Sequence, residues 1–425
     1  MTGASWGAAA VVLLHLGSLG ALPPETRTQE VRSYATGEQP VRVLVAGGAR
    51  SVRLRPNATV SVRDSSGKQL GVVTAGAAIT ATPTGVGVRV KAGRLQASRP
   101  TVIIAPTTPG GGLTMSADGG WGRSGFYPGS IAIYRGPSGL QVVESVALET
   151  YVAGVVSSEM PRRFPLEAMK AQAIAARTYA LYHLGAHAGD DADLCGSVHC
   201  QAYAGQAPAD STAARAARET AGQVLAYNDL LVDALYSAAC GGQTATAWEA
   251  RQGKLLPYLI GEPDSDGGDK PFCSHDHDVS WSRRYSYWEA DRLVRANLAK
   301  VIHDPGAKPG KLSDLQSVVE PRTGRAEWLK VRTANGTYQV RGDSIRWLFG
   351  NGRPGPAGLR STAFELSVKT DAGGQPQAFV FRGKGHGHGI GLCQWGARGR
   401  AMAGQSAEEI LAAYYLGTSV VDLRW

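Results

Sequence analysis

The sequence predicts an α+β protein: a mixed, β-rich core with a few helices, preceded by a small all-β module. Three observations predict it. Residues 41–116 repeat short alternations of apolar and polar residues (Val41-Arg-Val-Leu-Val, Ser51-Val-Arg-Leu, Thr59-Val-Ser-Val, Val86-Gly-Val-Arg-Val), the period of half-buried strands. An Ala-rich run after Pro165 has the composition of a tightly packed helix. The 55 glycines and 22 prolines in 425 residues call for many turns, more than a helical bundle uses.

In chain order, residues 6–22 form an uncharged apolar run ending near Ala21-Leu-Pro-Pro. Residues 1–22 are therefore expected to be a signal peptide and the mature chain extracytoplasmic. The absence of Lys or Arg before Arg27 departs from the usual basic start. No later run has the length of an apolar membrane span, so no transmembrane segment is expected in the mature chain. Residues 23–40 read as a polar linker and 41–116 as the β-rich module, with a Gly/Pro-rich break at 106–112. Strands at 131–134 and 140–143 lead into a short helix near 147–156. After a turn carrying Glu159, Pro165 opens the Ala-rich helix, at a position where its missing N–H costs nothing.

Residues 185–196 read as a loop. Ser211-Thr212 caps a helix reaching about Thr220, and 223–227 and 230–237 flank Asn228-Asp229 as a hairpin. Tyr287, Ala290, Val294, Leu298 and Val301 share helical spacing within 286–303. Strands follow over 311–340, then a short helix from Asp343 or Ser344, then strands at 364–370 and 378–381. Ser406-Ala-Glu-Glu409 is a capping-box start to the last helix.

Hydrophobic content of 43% and charged content of 19% are ordinary for a globular chain. Net charge is +9, so the surroundings are expected to be polyanionic. Helix-turn-helix, zinc-finger and RNA-recognition signatures are absent from the sequence, and nucleic acid is not expected as a partner.

The stretch with most chemical content is 154–183. Glu159 precedes the helix, and Lys170, Ile174, Arg177 and Leu181 fall on one helical stripe. Two cations among small and apolar residues ask for an anionic partner, and Glu159 is the nearest in sequence. The plainer alternative makes Glu159 a helix-entry acid favoured by the macrodipole, with Lys170 and Arg177 as surface charges. Glu167 is a second carboxylate, placed in the first turn where it serves the helix dipole.

Ser157-Ser-Glu-Met-Pro161, the run from Phe164 to Ala173, and Ala176-Arg-Thr-Tyr-Ala180 resemble the core of the SpoIID/LytB family. The resemblance continues, in the family's order, through His199-Cys-Gln-Ala-Tyr203, Ser237-Ala-Ala-Cys-Gly-Gly242, Gly385-His-Gly-His-Gly-Ile-Gly391 and Gln394-Trp-Gly-Ala397, and covers roughly residues 120–425. It implies that 117–425 is a SpoIID-like catalytic region, with a helix-plus-strand subdomain near 280–370. The activity it implies is that of a peptidoglycan lytic transglycosylase cutting MurNAc–GlcNAc glycan strands with a 1,6-anhydro product. A non-enzymatic, wall-binding amidase enhancer is the alternative, with a cell-wall amidase as partner; the family also links the fold to sporulation. A transglycosylase works with one acid, because the sugar's C6 hydroxyl attacks and the same carboxyl first gives and then takes a proton. The family's acid falls on Glu159 and its helix arginine on Arg177. Wall glycan, with its muramic carboxylates, also suits the basic charge.

The remaining site residues carry two readings each. Gln201 and Tyr203, alternating on a presumed strand, point to one face and suit sugar hydroxyls, or else pack in the core with satisfied hydrogen bonds. Ser237, with Gly241-Gly242, reads the same way, and Lys170 is a further candidate substrate contact. The loop from Gly385 lacks the Gly-x-Gly-x-x-Gly spacing of a dinucleotide site. His386 and His388 are expected to assist at the cleft or simply to fix the loop, while Gln394 and Trp395 offer a polar contact and a stacking face.

The glycan chemistry requires no cofactor. Cys195 and Cys200, with His187 and His199 close by, and Cys240 and Cys273, with His275 and His277, suit either disulfides, the default in an exported protein, or tetrahedral zinc. The resemblance implies a metal beside the cleft, held through the loop 193–200, which makes Cys195, His199 and Cys200 the candidate ligands. Cys393 is the odd thiol, and no Cys–His–Asn signature supports a thiol protease.

Overall fold

The period-two pattern of the N-terminal part becomes two sheets packed face to face. Residues 40–250, 255–265, 267, 270–274, 279–353, 355 and 357–423 are described by the structure, a computed structural model. The expected signal peptide, the linker apart from Pro40, and His275 and His277 lie outside these residues.

Strand Pro40–Ala49 runs antiparallel to Gly139–Ala147, pairing Val43 with Glu144 and Leu44 with Val143. At Arg50 the chain leaves this sheet and continues as Ser51–Pro56 in the second sheet. The first sheet has eight strands and the second six. Val52, Leu54, Val60, Val62, Ile79, Ala81, Val88, Val90, Val102 and Ile104 alternate along their strands and all are fully buried. Each large aliphatic removed from water in this way contributes about 1.5–3 kcal/mol.

The sheet does not end at residue 116. Strands Ser130–Gly136 and Gly139–Ala147 insert between Pro40–Ala49 and Thr101–Pro106, so the first sheet joins residues from both sides of that position. The Gly/Pro break at 106–112 is a turn within the sandwich. Pairing partners far apart in sequence, which periodicity does not reveal, decide this.

The helices are α1 (Leu148–Glu159), α2 (Leu166–Tyr182), α3 (Thr212–Glu219), α4 (Ala247–Ala250), α5 (Tyr287–Val301), α6 (Ser344–Leu348), α7 (Gln394–Met402) and α8 (Ala407–Tyr414). With strands in the majority, the fold is α+β. Helix α2 is buried on nearly every side, from Ala168 to Leu181. Its alanines let α1, α3, α7 and α8 approach closely, and the sandwich and these helices share one hydrophobic core. Pro165 stands just outside α2 as its N-cap, with φ −58° and ψ 151°.

A second core, from Trp281 to Phe381, is built by α5, α6 and two three-stranded sheets. The segment expected as one long strand after Asn228-Asp229 divides in two. Leu230–Leu231 pairs back across the turn, where both turn residues have positive φ, whereas Tyr236–Ser237 pairs parallel with Leu392–Cys393. That second pairing brings the chain's last quarter to α1 and α2. Among the described residues no helix is long and apolar enough to cross a membrane.

Candidate active site around Glu159

Glu159 is the last residue of α1, which Met160 ends in an extended conformation, with Pro161 immediately after. The acid therefore sits at the negative end of a helix, where the macrodipole disfavours its charge. Its side chain is half-buried. Burial raises its pKa, and hydrogen bonds from the Ala202 N–H, Gln394 and Tyr236, with the field of Arg123, only partly offset this.

The contacts are specific. The Ala202 N–H donates to Oε1 at 2.6 Å and the Tyr236 hydroxyl to the same oxygen at 3.4 Å. Gln394 Nε2 lies 3.4 Å from Oε2 and 3.3 Å from Gln172 Oε1. Behind Tyr236 a buried relay continues: Gln201 Nε2 donates to the Tyr236 oxygen at 3.0 Å, and the Tyr151 hydroxyl donates to Gln201 Oε1 at 3.0 Å. Segment 202–204 lies against the end of α1, held also by the Ala204 N–H donating to Ser158 Oγ at 3.2 Å. Gly154 permits this approach, since a Cβ there would stand 2.5 Å from the Tyr203 ring and 2.4 Å from the Gly205 carbonyl.

Two buried polar atoms on residues that adjoin Gln394 have no protein partner: Gln172 Nε2, whose Oε1 meets Gln394, and Ser237 Oγ, whose strand pairs with Cys393. Ser237 reaches the site through its pairing with Cys393, next to Gln394. Buried groups of this kind are uncommon and call for a ligand or a water. Two cavities lie nearby. One, of about 770 Å³, is bounded by Cys240, Trp281, Phe364 and Arg382; the other, of about 420 Å³, by Trp121, His187, His199 and Arg353. Glu159 lines neither.

Several sequence expectations are corrected. Arg177 does not face Glu159. It is wholly buried and forked onto Glu149, at 2.8 and 2.5 Å, with a further bond to the Gln223 carbonyl. Lys170 lies on the same side, paired with Glu167 at 3.0 Å and Glu219 at 2.8 Å. The stripe faces α1 and α3, through Glu149 and Glu219. Gln172, about 200° round the helix from Lys170, is the α2 residue linked to the acid, through Gln394. Tyr203 is a core residue whose hydroxyl donates to the buried Glu144 at 2.8 Å, between the rings of Tyr127 and Tyr151. Residues 201–203 are not a strand, so the alternation that placed Gln201 and Tyr203 on one face does not apply.

The His386 ring is exposed and its backbone bridges to Ala239, while His388 Nδ1 accepts from the Ile390 N–H at 3.0 Å, which turns that ring onto its own loop. Gly385, Gly387, Gly389 and Gly391 all have positive φ, and a Cβ at Gly391 would stand 2.0 Å from the Leu235 carbonyl. This spacing serves a chain threaded against its neighbours. The sequence reading overlooked Tyr236, Gln172 and Arg123; none lies in a chemically distinctive pattern.

All five cysteines are free thiols. The donors of His187, Cys195, His199 and Cys200 lie within 4.8 Å of one another. His187 Nε2 is 3.3 Å from Cys200 Sγ, and His199 Nδ1 is 3.5 Å from Cys200 Sγ and 3.8 Å from Cys195 Sγ. His187 is thus the fourth member of the expected trio. Strand Leu194–Cys195 is anchored on Val43–Leu44, with Asp193 ion-paired to Arg42 at 2.9 Å. Two thiols and two imidazoles so placed fit a tetrahedral zinc. Cys200 stands two residues before Ala202, so this cluster anchors the segment that presents the amide to Glu159.

A half-buried acid on a helix end, backed by an amide, a phenol and two glutamines, defines this region of the fold. The chain belongs to the SpoIID/LytB family. The family model for stage II sporulation protein matches residues 137–227, and a second model, domain of unknown function DUF8618, matches 272–391. An uncharacterized protein of Brachyspira hyodysenteriae is 30% identical over 73% of this chain and 77% of its own length. Stage II sporulation protein D of Bacillus subtilis is 28% identical over 69% of this chain and 80% of its own. The amidase enhancer of Bacillus subtilis is 29% identical over 63% of this chain, but the match spans only 40% of that protein. The first model covers Glu159, α2 and the Cys/His loop; Tyr236, Ser237 and Gln394 come from outside it.

Proposed function

We propose that the protein acts on the cell wall outside the cytoplasm as a lytic transglycosylase, cleaving MurNAc–GlcNAc strands of peptidoglycan with Glu159 as the single general acid and base. One observation carries the reading: a largely buried but still partly exposed carboxyl, held protonated more readily by burial, and bonded to Gln394, next to which Gln172 and Ser237 keep unpartnered polar atoms. Glu159 donates its proton to the glycosidic oxygen as the bond to the anomeric carbon breaks. The resulting carboxylate keeps the Ala202 N–H on Oε1 and then takes the proton of the C6 hydroxyl as that oxygen closes the 1,6-anhydro ring. Tyr236, kept as the phenol by burial, donates to the carboxylate, and Gln394 orients it. Gln172 and Ser237 supply hydrogen bonds to sugar hydroxyls. His187, Cys195, His199 and Cys200 would hold a zinc, which would supply a cross-link that fixes the segment presenting Ala202 to Glu159.

Purified protein on peptide-stripped glycan is expected to release fragments lighter by one water than hydrolysis products. Hydrolysed ends would make it a hydrolase. A second reading, non-enzymatic stimulation of a wall amidase, is favoured by the likeness to the amidase enhancer and by the position of Glu159 outside both cavities. It predicts no released fragments, and faster peptide release when an amidase is added.

A further inference from the structure

We propose that Cys240, Asp264, Cys273 and Cys393 form a second metal site, buried, of zinc type, separate from the Cys/His cluster. Their donor atoms lie within 4.8 Å of one another and all four residues are buried. They come from four separate places in the chain: just past strand Tyr236–Ser237, the segment between α4 and Phe272, the turn Phe272–Ser274, and the cap of α7.

The spacing fits a tetrahedron. Zinc–sulfur bonds of about 2.3 Å at tetrahedral angles put neighbouring sulfurs about 3.8 Å apart. Cys240 Sγ and Cys273 Sγ are 3.8 Å apart, and Asp264 Oδ2 stands 3.2 Å from Cys240 Sγ. The surroundings are those of a ligand set. Backbone N–H groups point at the sulfurs: Gly242 to Cys240 at 3.4 Å, and Cys240 and Gly396 to Cys393, each at 3.2 Å. Asp264 is oriented through its other oxygen, which accepts from the Tyr414 hydroxyl at 2.7 Å and from Arg400 Nε at 3.3 Å. Such outer hydrogen bonds fix ligating carboxylates and leave the second oxygen for the metal. Gly396 leaves room for that arrangement, since a Cβ there would be 2.3 Å from Asp264 Oδ2.

A disulfide accounts for less. It would bring two sulfurs to about 2.05 Å, leave the third thiol unused, and leave Asp264 with Arg400 as its cationic partner while Oδ2 still points at Cys240 Sγ. With the metal, the three thiolates and Asp264 face a dication as well as Arg400, and the N–H donors to the sulfurs ease the remaining negative charge. The site ties strand Tyr236–Ser237 to α7. Cys393 directly precedes Gln394, and Cys240 follows Ser237 by three residues, so the metal would position one wall of the Glu159 site. The proposal does not rest on glycan cleavage.

The test is metal content of the full chain, purified under reducing conditions and equilibrated with zinc sulfate. Two zinc per chain are expected. His187→Ala combined with His199→Ala should leave one, and adding Cys273→Ala or Asp264→Asn should remove most of it. In the double-histidine background, cobalt replacement should give thiolate-to-cobalt charge-transfer bands, and a chelator should lower the melting temperature. Unchanged zinc content after Cys273→Ala, or a Cys240–Cys273 cross-link two hydrogens lighter with no metal bound, would overturn the assignment. Should Cys273→Ala fail to fold, the cobalt spectrum of the double-histidine protein decides: three-thiolate bands support the site, their absence refutes it. Because metal content is read without substrate, its failure is distinct from failure of the transglycosylase reading.

Discussion

Glu159 and Glu144 are both carboxyls taken largely out of water, and they differ in what surrounds them. Glu144 is fully buried on strand Gly139–Ala147, with the Gly129 N–H on one oxygen and the Tyr203 hydroxyl on the other, both at 2.8 Å. Burial pushes its pKa up to about 7, against the pull of those two donors. Glu159 is raised by the same cause, yet remains partly exposed, and its partner Gln394 adjoins residues with unpartnered polar atoms. A raised pKa therefore marks burial, while access and unfilled neighbours mark a site. Structural networks perturb carboxyls as readily as catalytic ones do.

The comparison breaks most sharply on activity. Glu159→Gln should lower release of anhydro fragments by about 10²–10⁴-fold, as expected for loss of a general acid–base group, with the melting temperature unchanged. Glu144→Gln should leave turnover near normal. Comparable losses in both variants would erase the distinction.

Next in size is the ion pair that Arg177 makes with Glu149 in place of the expected Glu159. Glu149→Ala strands the buried Arg177 and should cost stability at the lower end of the 3–5 kcal/mol range, roughly, for a broken buried pair, since Glu149 is partly exposed. Denaturant melts measure this. Activity per folded molecule should hold, because Arg177 does not touch Glu159.

Stability should also carry the signature of Glu144. Its folded pKa is raised, so its contribution is fully present below the unfolded value, near 4.5, and is lost as pH rises through about 7. From this group alone, stability should fall by up to about 3 kcal/mol across that window. Glu144→Gln should flatten that slope; an unchanged slope would show that other groups control it.

The smallest effect is Tyr203→Phe, about 1–2 kcal/mol for a lost buried donor. It should also raise the Glu144 midpoint further, because the phenol bond lowers it. Catalysis should be nearly unaffected, in contrast with Tyr236→Phe, which touches Glu159 directly.

Some of this was legible because the information is local. Period-two alternation gave the sandwich strands, the Ser406 and Ser286 positions cap their helices with full capping boxes, and residues 195–200 lie close enough to meet whatever the fold. Arg177 shows the limit. Its helical stripe is visible in the sequence, but which neighbours the stripe faces depends on how α2 sits against α1 and α3. The second thiol cluster was out of reach for the same reason: its donors lie up to 153 residues apart.

By itself, then, the sequence determined the strand-rich α+β class, the helix around Ala168–Ala180 as a packing element, the family, and Glu159 as the acid to watch. The tertiary structure alone decided that the Ala202 amide, Tyr236 and Gln394 meet that acid, that Arg177 and Tyr203 belong to the core, and that three distant cysteines converge on Asp264. Local periodicity follows from backbone geometry, which every segment carries within itself. Side-chain partners follow from how separate segments dock, and that is set by the burial of the whole chain.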